Sequence, residues 1–276
     1  MYTNLQETVT LNNGVKMPIM GLGVFKVEDG ELVVESVKSA IKNGYRSIDT
    51  ASFYDNEKGV GQGIKESGVP REELFITTKV WNSDHGYEST LAAFEVSLEK
   101  LGLEYLDLYL IHWPVKEKFQ ETWKALEKLY KDGKVRAIGV SNFNVHHLED
   151  ILKDCDVKPV INQVEYHPHL TQTEVKEFCE KNDIRLEAWS PLKKGVLLSE
   201  PVIIELAEKY QKSPAQIILR WDIQNGVVTI PKSVKEHRIV ENADIFDFHL
   251  SEEDMNKISA LNINSRSGAD PDTFDF

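Results

Sequence analysis

Short runs rich in apolar, β-branched and aromatic residues recur along the chain, and each is followed by a stretch with helical spacing. That alternation constrains the fold more than any other feature. The runs are 19–23, 45–48, 75–79, 106–111, 135–140, 160–163, 185–189 and 226–230, and each reads as a strand. Helical patterns fill the gaps. Those over 31–43, 88–101 and 119–132 stop at Gly44, Gly102 and Gly133, where a glycine just past the last turn is a C-cap signal. The pattern to residue 67 stops at Gly68, and Asn56 is placed as its N-cap. Others follow at 144–153, 171–182, 201–210, 213–224 and 235–243. Ser251-Glu252-Glu253-Asp254 opens a last helix, with acidic side chains at its positive end. Residues 8–17 read as a hairpin turning at Asn12-Asn13-Gly14.

Eight strands, each followed by helix, predict an α/β fold: a (β/α)8 TIM barrel with an N-terminal β-hairpin and an extra C-terminal helix. No low-complexity linker or composition break interrupts it, so 1–276 reads as a single domain. A doubly wound sheet is the alternative, but it needs a phosphate loop after its first strand. Gly21-Leu22-Gly23 holds only the first two glycines of such a loop, and Gly59, Gly61 and Gly63 lie inside a helical pattern. Both sets read as structural, the first as a close backbone approach and the second as helix packing. A dinucleotide can still bind, though not through a Rossmann loop.

A net charge of −13 weighs against nucleic acid and anionic membrane as partners. It leaves room for a local basic pocket. No apolar run approaches the roughly 20 residues of a membrane helix, and the first residues lack a basic-then-apolar export pattern. The expected location is the cytoplasm, where Cys155 and Cys179 read as reduced, chemically idle thiols. His146 and His147 are adjacent in a helical pattern and face different ways, and His167-Pro168-His169 reads as loop. No metal site is expected from either. No heptad or apolar stripe demands a dimer, so a monomer is the expectation.

The C-terminal ends of barrel strands converge on one mouth. Asp49, Lys79 and His112 each close one of the apolar runs, and Tyr54 lies on the loop after Asp49. Taken singly, each has an ordinary structural reading: a half-buried phenol, an ion pair, a core histidine. Together they suit proton transfer. A lysine ammonium stabilises tyrosinate and is expected to lower the tyrosine pKa from about 10. Asp49 would keep Lys79 charged and in place, and His112 would donate a hydrogen bond to a carbonyl oxygen. Such a site polarises C=O and protonates the developing alkoxide. No side chain donates hydride, so a nicotinamide cofactor is implied. A Schiff-base aldolase using Lys79 is the competing chemistry; the Asp49 partner opposes it, because a nucleophilic lysine must be neutral.

From the hairpin to about residue 262 the chain resembles the aldo-keto reductase family. The resemblance rests on Gly44-Tyr45-Arg46-Ser47-Ile48-Asp49-Thr50-Ala51 with Tyr54, on Lys79, and on Leu110-Ile111-His112-Trp113-Pro114. It continues through Gly139-Val140-Ser141-Asn142-Phe143, Asn162-Gln163 and Ile230-Pro231-Lys232-Ser233. It implies a catalytic tetrad of Asp49, Tyr54, Lys79 and His112, with Tyr54 as the general acid in reduction. Ser141, Asn142 and Gln163 would hold the nicotinamide carboxamide. Trp189 would stack on the ring, where many members carry tyrosine. Ser190, Pro191 and Leu192 would line the pyrophosphate path, and Gly23 would sit on the cofactor side.

Lys232, Ser233 and Arg238, with Asn242 near the adenine, match the family's adenosine-phosphate segment. Two cations and a hydroxyl suit a 2′-phosphate, so NADPH is expected over NADH. Phe25, Trp81 and Trp113, beside His112, would wall the pocket for a small-molecule carbonyl substrate, with Phe53 nearby. The tail 264–276 is short and polar and carries Phe274 and Phe276 near its end. A short tail implies an open site and broad use of small aldehydes and ketoaldehydes. Within the family, the chain resembles bacterial glyoxal and methylglyoxal reductases and 2,5-diketo-D-gluconate reductase-like members. A module that binds NADP(H) for regulation, without turnover, is the non-enzymatic reading.

Overall fold

The computed structural model describes residues 2–276. The hairpin is present: β1 (Thr8–Thr10) pairs antiparallel with β2 (Lys16–Pro18), Val9 opposite Met17. Its turn docks on the N-terminal ends of barrel strands. Asn12 Nδ2 donates to the carbonyls of Pro159 and Asp183, and Asn13 Nδ2 to that of Arg136. With Val9, Leu11 and Met17 buried, the hairpin plugs the floor of the barrel.

Eight parallel strands form the wall in chain order: β3 (Leu22–Gly23), β4 (Ser47–Asp49), β5 (Phe75–Val80), β6 (Leu106–Ile111), β7 (Val135–Ser141), β8 (Ile161–Glu165), β9 (Arg185–Trp189) and β10 (Val228–Thr229). The ends meet. Thr229 N–H donates to the Ile19 carbonyl, Gly21 N–H to that of Thr229, and Gly23 N–H to that of Pro231. A Cβ at Gly23 would stand 2.8 Å from the Ile230 carbonyl oxygen, so the close approach expected there is the closure of the barrel. The first and last strands are shorter than the runs 19–23 and 226–230, because the closing seam carries only these scattered bonds.

Helices cover the outside: α1 (Glu31–Lys42), α2 (Glu57–Glu66), α3 (Tyr87–Leu101), α4 (Phe119–Lys131), α5 (Val145–Asp154), α6 (Thr173–Lys181), α7 (Pro201–Tyr210), α8 (Pro214–Gln224), α9 (Glu236–Ala243) and the extra α10 (Glu252–Ser259). Their ends fall within one or two residues of the patterns in the sequence. Val33, Val37, Ala40 and Ile41 show why α1 forms where it does. They bury one stripe at helical spacing. The glycines of α2 serve packing, as a Cβ at Gly61 would lie 2.1 Å from the Leu101 carbonyl oxygen.

Asn56 departs from expectation. It precedes α2 but makes no capping bond. Its Oδ1 accepts from Thr50 Oγ1, and its Nδ2 donates to the carbonyls of Val24 and Val27. The buried amide ties the loop after β3 to the end of β4, a use set by tertiary neighbours.

Candidate active site

Several of the buried polar side chains of the barrel wall gather at one place, towards the C-terminal ends of the strands. Lys79 near the end of β5 is fully buried, and its Nζ donates to Asp49 Oδ1 at 2.6 Å, the Thr50 carbonyl at 2.9 Å and Tyr54 Oη at 3.2 Å. Three acceptors for three N–H groups satisfy the ammonium completely. His112 joins from the end of β6, its ring edge-on to Tyr54 with centroids 5.7 Å apart. The four residues expected to converge therefore do so.

Their charge states follow from burial. Burial pushes Lys79 down, but Asp49 and Tyr54 outweigh it, and its pKa ends above the ordinary lysine value. The lysine is an ammonium. Burial and then the Lys79 charge hold His112 well below the usual imidazole range, so the ring is neutral. Tyr54 corrects the sequence reading. Lys79 does pull it down, yet burial pushes it up by more, helped by Asp49 and, once it ionises, by Glu187, and the phenol ends above its ordinary value. Tyr54 is held protonated, with the Lys79 ammonium 3.2 Å from its oxygen.

A second group lies alongside. Ser141 Oγ donates to the Gln163 carbonyl at 2.8 Å. Asn142, in left-handed backbone at φ 63°, donates from Nδ2 to the His112 carbonyl and to Ser141 Oγ. Its Oδ1 accepts from Trp189 Nε1 at 2.9 Å, a bond that orients the half-buried indole. Gln163 Nε2 donates to Asp49 Oδ2 and to Glu187 Oε2, both at 2.8 Å. Ser141, Asn142, Gln163 and Trp189 thus form one bonded unit beside the Asp49–Lys79 pair.

The loop after β9 begins at Ser190 in left-handed backbone, continues through Pro191 and Leu192, and turns left-handed again at Lys193 and Lys194. Beside it, Lys232 follows the neighbouring strand β10 and Arg238 lies on α9. Both are exposed and make no ion pair among the described residues. Ser233 between them accepts from Lys235 N–H. Asn242 on α9 is buried. An unpaired cation pair beside a hydroxyl fits an anionic group such as a phosphate.

Aromatic rings wall the mouth. Phe25 packs on Tyr54 at 4.9 Å between centroids, Trp81 is edge-on to His112 at 5.1 Å, and Phe53 stacks on Trp81 at 3.7 Å. The expected open site is not what forms. The tail returns across the mouth, with Phe276 parallel to Trp81 at 5.9 Å and edge-on to Trp113 at 5.3 Å, while Phe274 tilts on Trp113 at 5.1 Å. Fully buried Glu165 anchors the root of the tail, accepting from Ser267 N–H and Oγ and from Gly268 N–H. A Cβ at Gly268 would stand 2.4 Å from the Trp189 ring. Lys193 Nζ donates to Ser265 Oγ and Lys194 Nζ to the Ser267 carbonyl.

Sequence reasoning missed Glu165, Glu187, Lys193 and Lys194. A lone carboxylate inside Leu186-Glu187-Ala188 was the available signal for Glu187. His146 and His147, expected to face different ways, instead converge on Asp272, and only His147 belongs to the cap of α5. His146 and His147 lie 3.2 and 3.7 Å from Asp272 Oδ1. The Asn144 N–H donates to His147 Nδ1, so the neutral ring carries its proton on Nε2, the atom a metal would need. Cys179 is buried and its thiol is pushed up to about 12, which suits an inert side chain.

The aldo/keto reductase family model matches residues 19–263. A glyoxal reductase from Bacillus subtilis (strain 168) is 69% identical over 272 residues, covering 99% of each chain. A methylglyoxal reductase from Escherichia coli (strain K12) is 45% identical over 270 residues, 96% of this chain and 97% of that one. Among solved structures, a mutant of Gox0644 in complex with NADPH superposes with a TM-score of 0.94 at 47% identity, covering 98% of this chain and 99% of that one. With a barrel of this topology and a buried lysine joined to a carboxylate and a phenol, this chain belongs to the aldo/keto reductase family.

Proposed function

We propose that this protein reduces small aldehydes and ketoaldehydes, such as methylglyoxal or glyoxal, to alcohols with NADPH, and that Tyr54 is the proton donor. The observation that carries this reading is Lys79 Nζ held between Asp49 Oδ1 and Tyr54 Oη at the barrel mouth. When bound, NADPH supplies the hydride that no side chain can. Tyr54, protonated at neutral pH, donates to the carbonyl oxygen as negative charge develops there. Lys79 stabilises the phenolate that results. Neutral His112 orients the carbonyl oxygen by hydrogen bonding.

Ser141, Asn142 and Gln163 hold the cofactor's carboxamide, and the fixed Trp189 indole supports its ring. Ser190, Pro191 and Leu192 border its pyrophosphate. Lys232, Ser233 and Arg238 take the 2′-phosphate, with Asn242 beside the adenine. Gly23 is needed first for barrel closure and borders the cofactor side through the same backbone. Phe25, Trp81 and Trp113 flank the carbonyl compound, and Phe274 and Phe276 narrow the mouth above it, which favours small, flat substrates. The glyoxal and methylglyoxal reductases among the relatives support that choice. A Schiff-base aldolase would need a neutral Lys79, and Asp49 holds it charged.

NADPH absorbance followed with methylglyoxal, glyoxal and an aromatic aldehyde tests the reading. Aldehyde-dependent consumption is expected. Tyr54→Phe is expected to lower kcat by roughly 100-fold or more, the range of general acid catalysis, with NADPH affinity kept. Binding of NADPH without consumption by any carbonyl would overturn the reading in favour of a regulatory module.

A further inference from the structure

Glu187 has no part in the chemistry described so far, yet it occupies the centre of the barrel. It lies on β9 in register with Gln163 on β8 and is about as buried as Asp49. Gln163 Nε2 reaches across the interior to Asp49 on β4 and sideways to Glu187, both at 2.8 Å. An amide nitrogen has two N–H groups, and the two carboxyl groups engage both. The opposite flip would point the Gln163 carbonyl oxygen at the Asp49 carboxylate that pairs with Lys79, so this orientation is imposed. Oε1 is the only polar atom of the side chain left for a ligand, and it is an acceptor.

We propose that Glu187 is a positioning residue that, with Asp49, locks the Gln163 amide so that its Oε1 accepts from the N–H2 of the nicotinamide carboxamide. This rests on the reading of Gln163 as a cofactor contact. The same bonds form a continuous chain, Glu187–Gln163–Asp49–Lys79–Tyr54, which links the cofactor's seat to the proton donor. The geometry divides the labour between the carboxyl groups. Asp49 also holds Lys79, whereas among the described residues the only hydrogen bond to the Glu187 carboxyl is the one from Gln163.

Charge supports the arrangement. The titratable groups facing Glu187 are Asp49 and Lys79, with Tyr54 beyond them. Burial, and then the Asp49 charge, raise the Glu187 carboxyl to about 8, against smaller opposing effects of Gln163 and Lys79. At neutral pH the interior therefore holds one anion and one cation. Above about 8 a second anion forms. It strengthens the hold on the Gln163 amide and also raises Tyr54 further.

The test measures NADPH Kd by fluorescence for wild type, Glu187→Ala, Glu187→Gln, Gln163→Ala and the Glu187→Ala/Gln163→Ala double variant, from about pH 6 to about pH 9. Roughly 10-fold weaker binding is expected for Glu187→Ala at pH 7, about one lost oriented hydrogen bond. Glu187→Gln, whose carbonyl can still accept from Gln163, should stay close to wild type there. Once Gln163 is gone, Glu187→Ala should add nothing. The wild-type Kd should show an ionisation near 8 that Glu187→Gln lacks. This last comparison stands even if Glu187→Ala does not fold. Weakened binding by Gln163→Ala, together with a wild-type Kd for folded Glu187→Ala or full additivity in the double variant, would overturn the role of Glu187 alone. The same pH profile in wild type and Glu187→Gln would overturn it as well. A wild-type Kd for Gln163→Ala would overturn the Gln163 contact, and the inference with it.

Discussion

Lys79 Nζ lies 2.6 Å from Asp49 Oδ1, and both side chains are sealed inside the barrel. Removing one partner of a buried pair leaves the other charge uncompensated, which costs about 3–5 kcal/mol. Asp49→Asn keeps the shape and removes the charge, so its melting temperature is expected to fall by several degrees and turnover to fall with it. Asp49 raises the Lys79 pKa, so the stabilisation is fully present below the ordinary lysine value of 10.5 and is lost as pH rises through the raised one. Thermal melts at about pH 7 and about pH 11 should show the wild-type advantage shrinking at the higher pH. An unchanged melting temperature in Asp49→Asn would contradict the pairing.

His112 is held well below the usual imidazole pKa by burial and by the Lys79 charge. Its charge therefore stays constant across the physiological range. The pH profile of kcat/KM with methylglyoxal should show no ionisation near 6.5 that disappears in His112→Ala. The substitution itself should lower kcat/KM by roughly 10- to 100-fold through loss of carbonyl orientation. A profile that bends near 6.5 only when His112 is present would mean that the ring is exposed to water during the cycle.

Arg238 and Lys232 are exposed cations without an ion pair among the described residues, in a chain of net charge −13. If they hold the 2′-phosphate, each contributes about 1.5–3 kcal/mol through a charged hydrogen bond. Arg238→Ala should weaken NADPH by roughly 10-fold or more and leave NADH unchanged. Titration of both cofactors against one protein preparation decides the matter, and an unaltered NADPH/NADH ratio would exclude Arg238.

Glu165 anchors the tail whose rings close the mouth. Its carboxyl is buried, which would raise it, but the bonds from His167, Ser267 and Gly268 pull it down to about 2. A depressed carboxylate contributes stability above its ordinary pKa and loses it as pH falls. Tail docking should therefore weaken as pH drops from about 4.5 toward about 2. Glu165→Gln should loosen the tail at neutral pH. KM for small ketoaldehydes is expected to rise several-fold, and hydrogen exchange at 264–276 to quicken. Exchange identical to wild type would remove Glu165 as the anchor.

The strands and helices were legible because each is a local pattern. The run 106–111 and the helical pattern 201–210 coincide with β6 and α7. The convergence of Asp49, Lys79 and His112 was legible for a related reason, since a barrel brings the C-terminal ends of its strands together whatever their distance in sequence. Glu187 was not legible as a site residue. Nothing local says that a glutamate in a buried strand will share an amide with Asp49, more than a hundred positions away. Asn56 failed for the same reason. Its place before α2 suggested a cap, and three partners outside the helix claimed its side chain instead.

By itself, then, the sequence determined the barrel, the hairpin and the identity of the residues at the mouth. These follow from periodicity and from residue types at strand ends, which are properties of neighbouring positions. Only the tertiary structure decided the charge states and the shape of the mouth. Tyr54 was expected to be acidified by Lys79, yet its burial outweighs the ammonium. The tail was expected to leave the site open, yet Phe274 and Phe276 pack on Trp113. Both outcomes depend on how much water is excluded from a group and on which distant surfaces meet, and desolvation and long-range packing are set only once the whole chain has closed on itself.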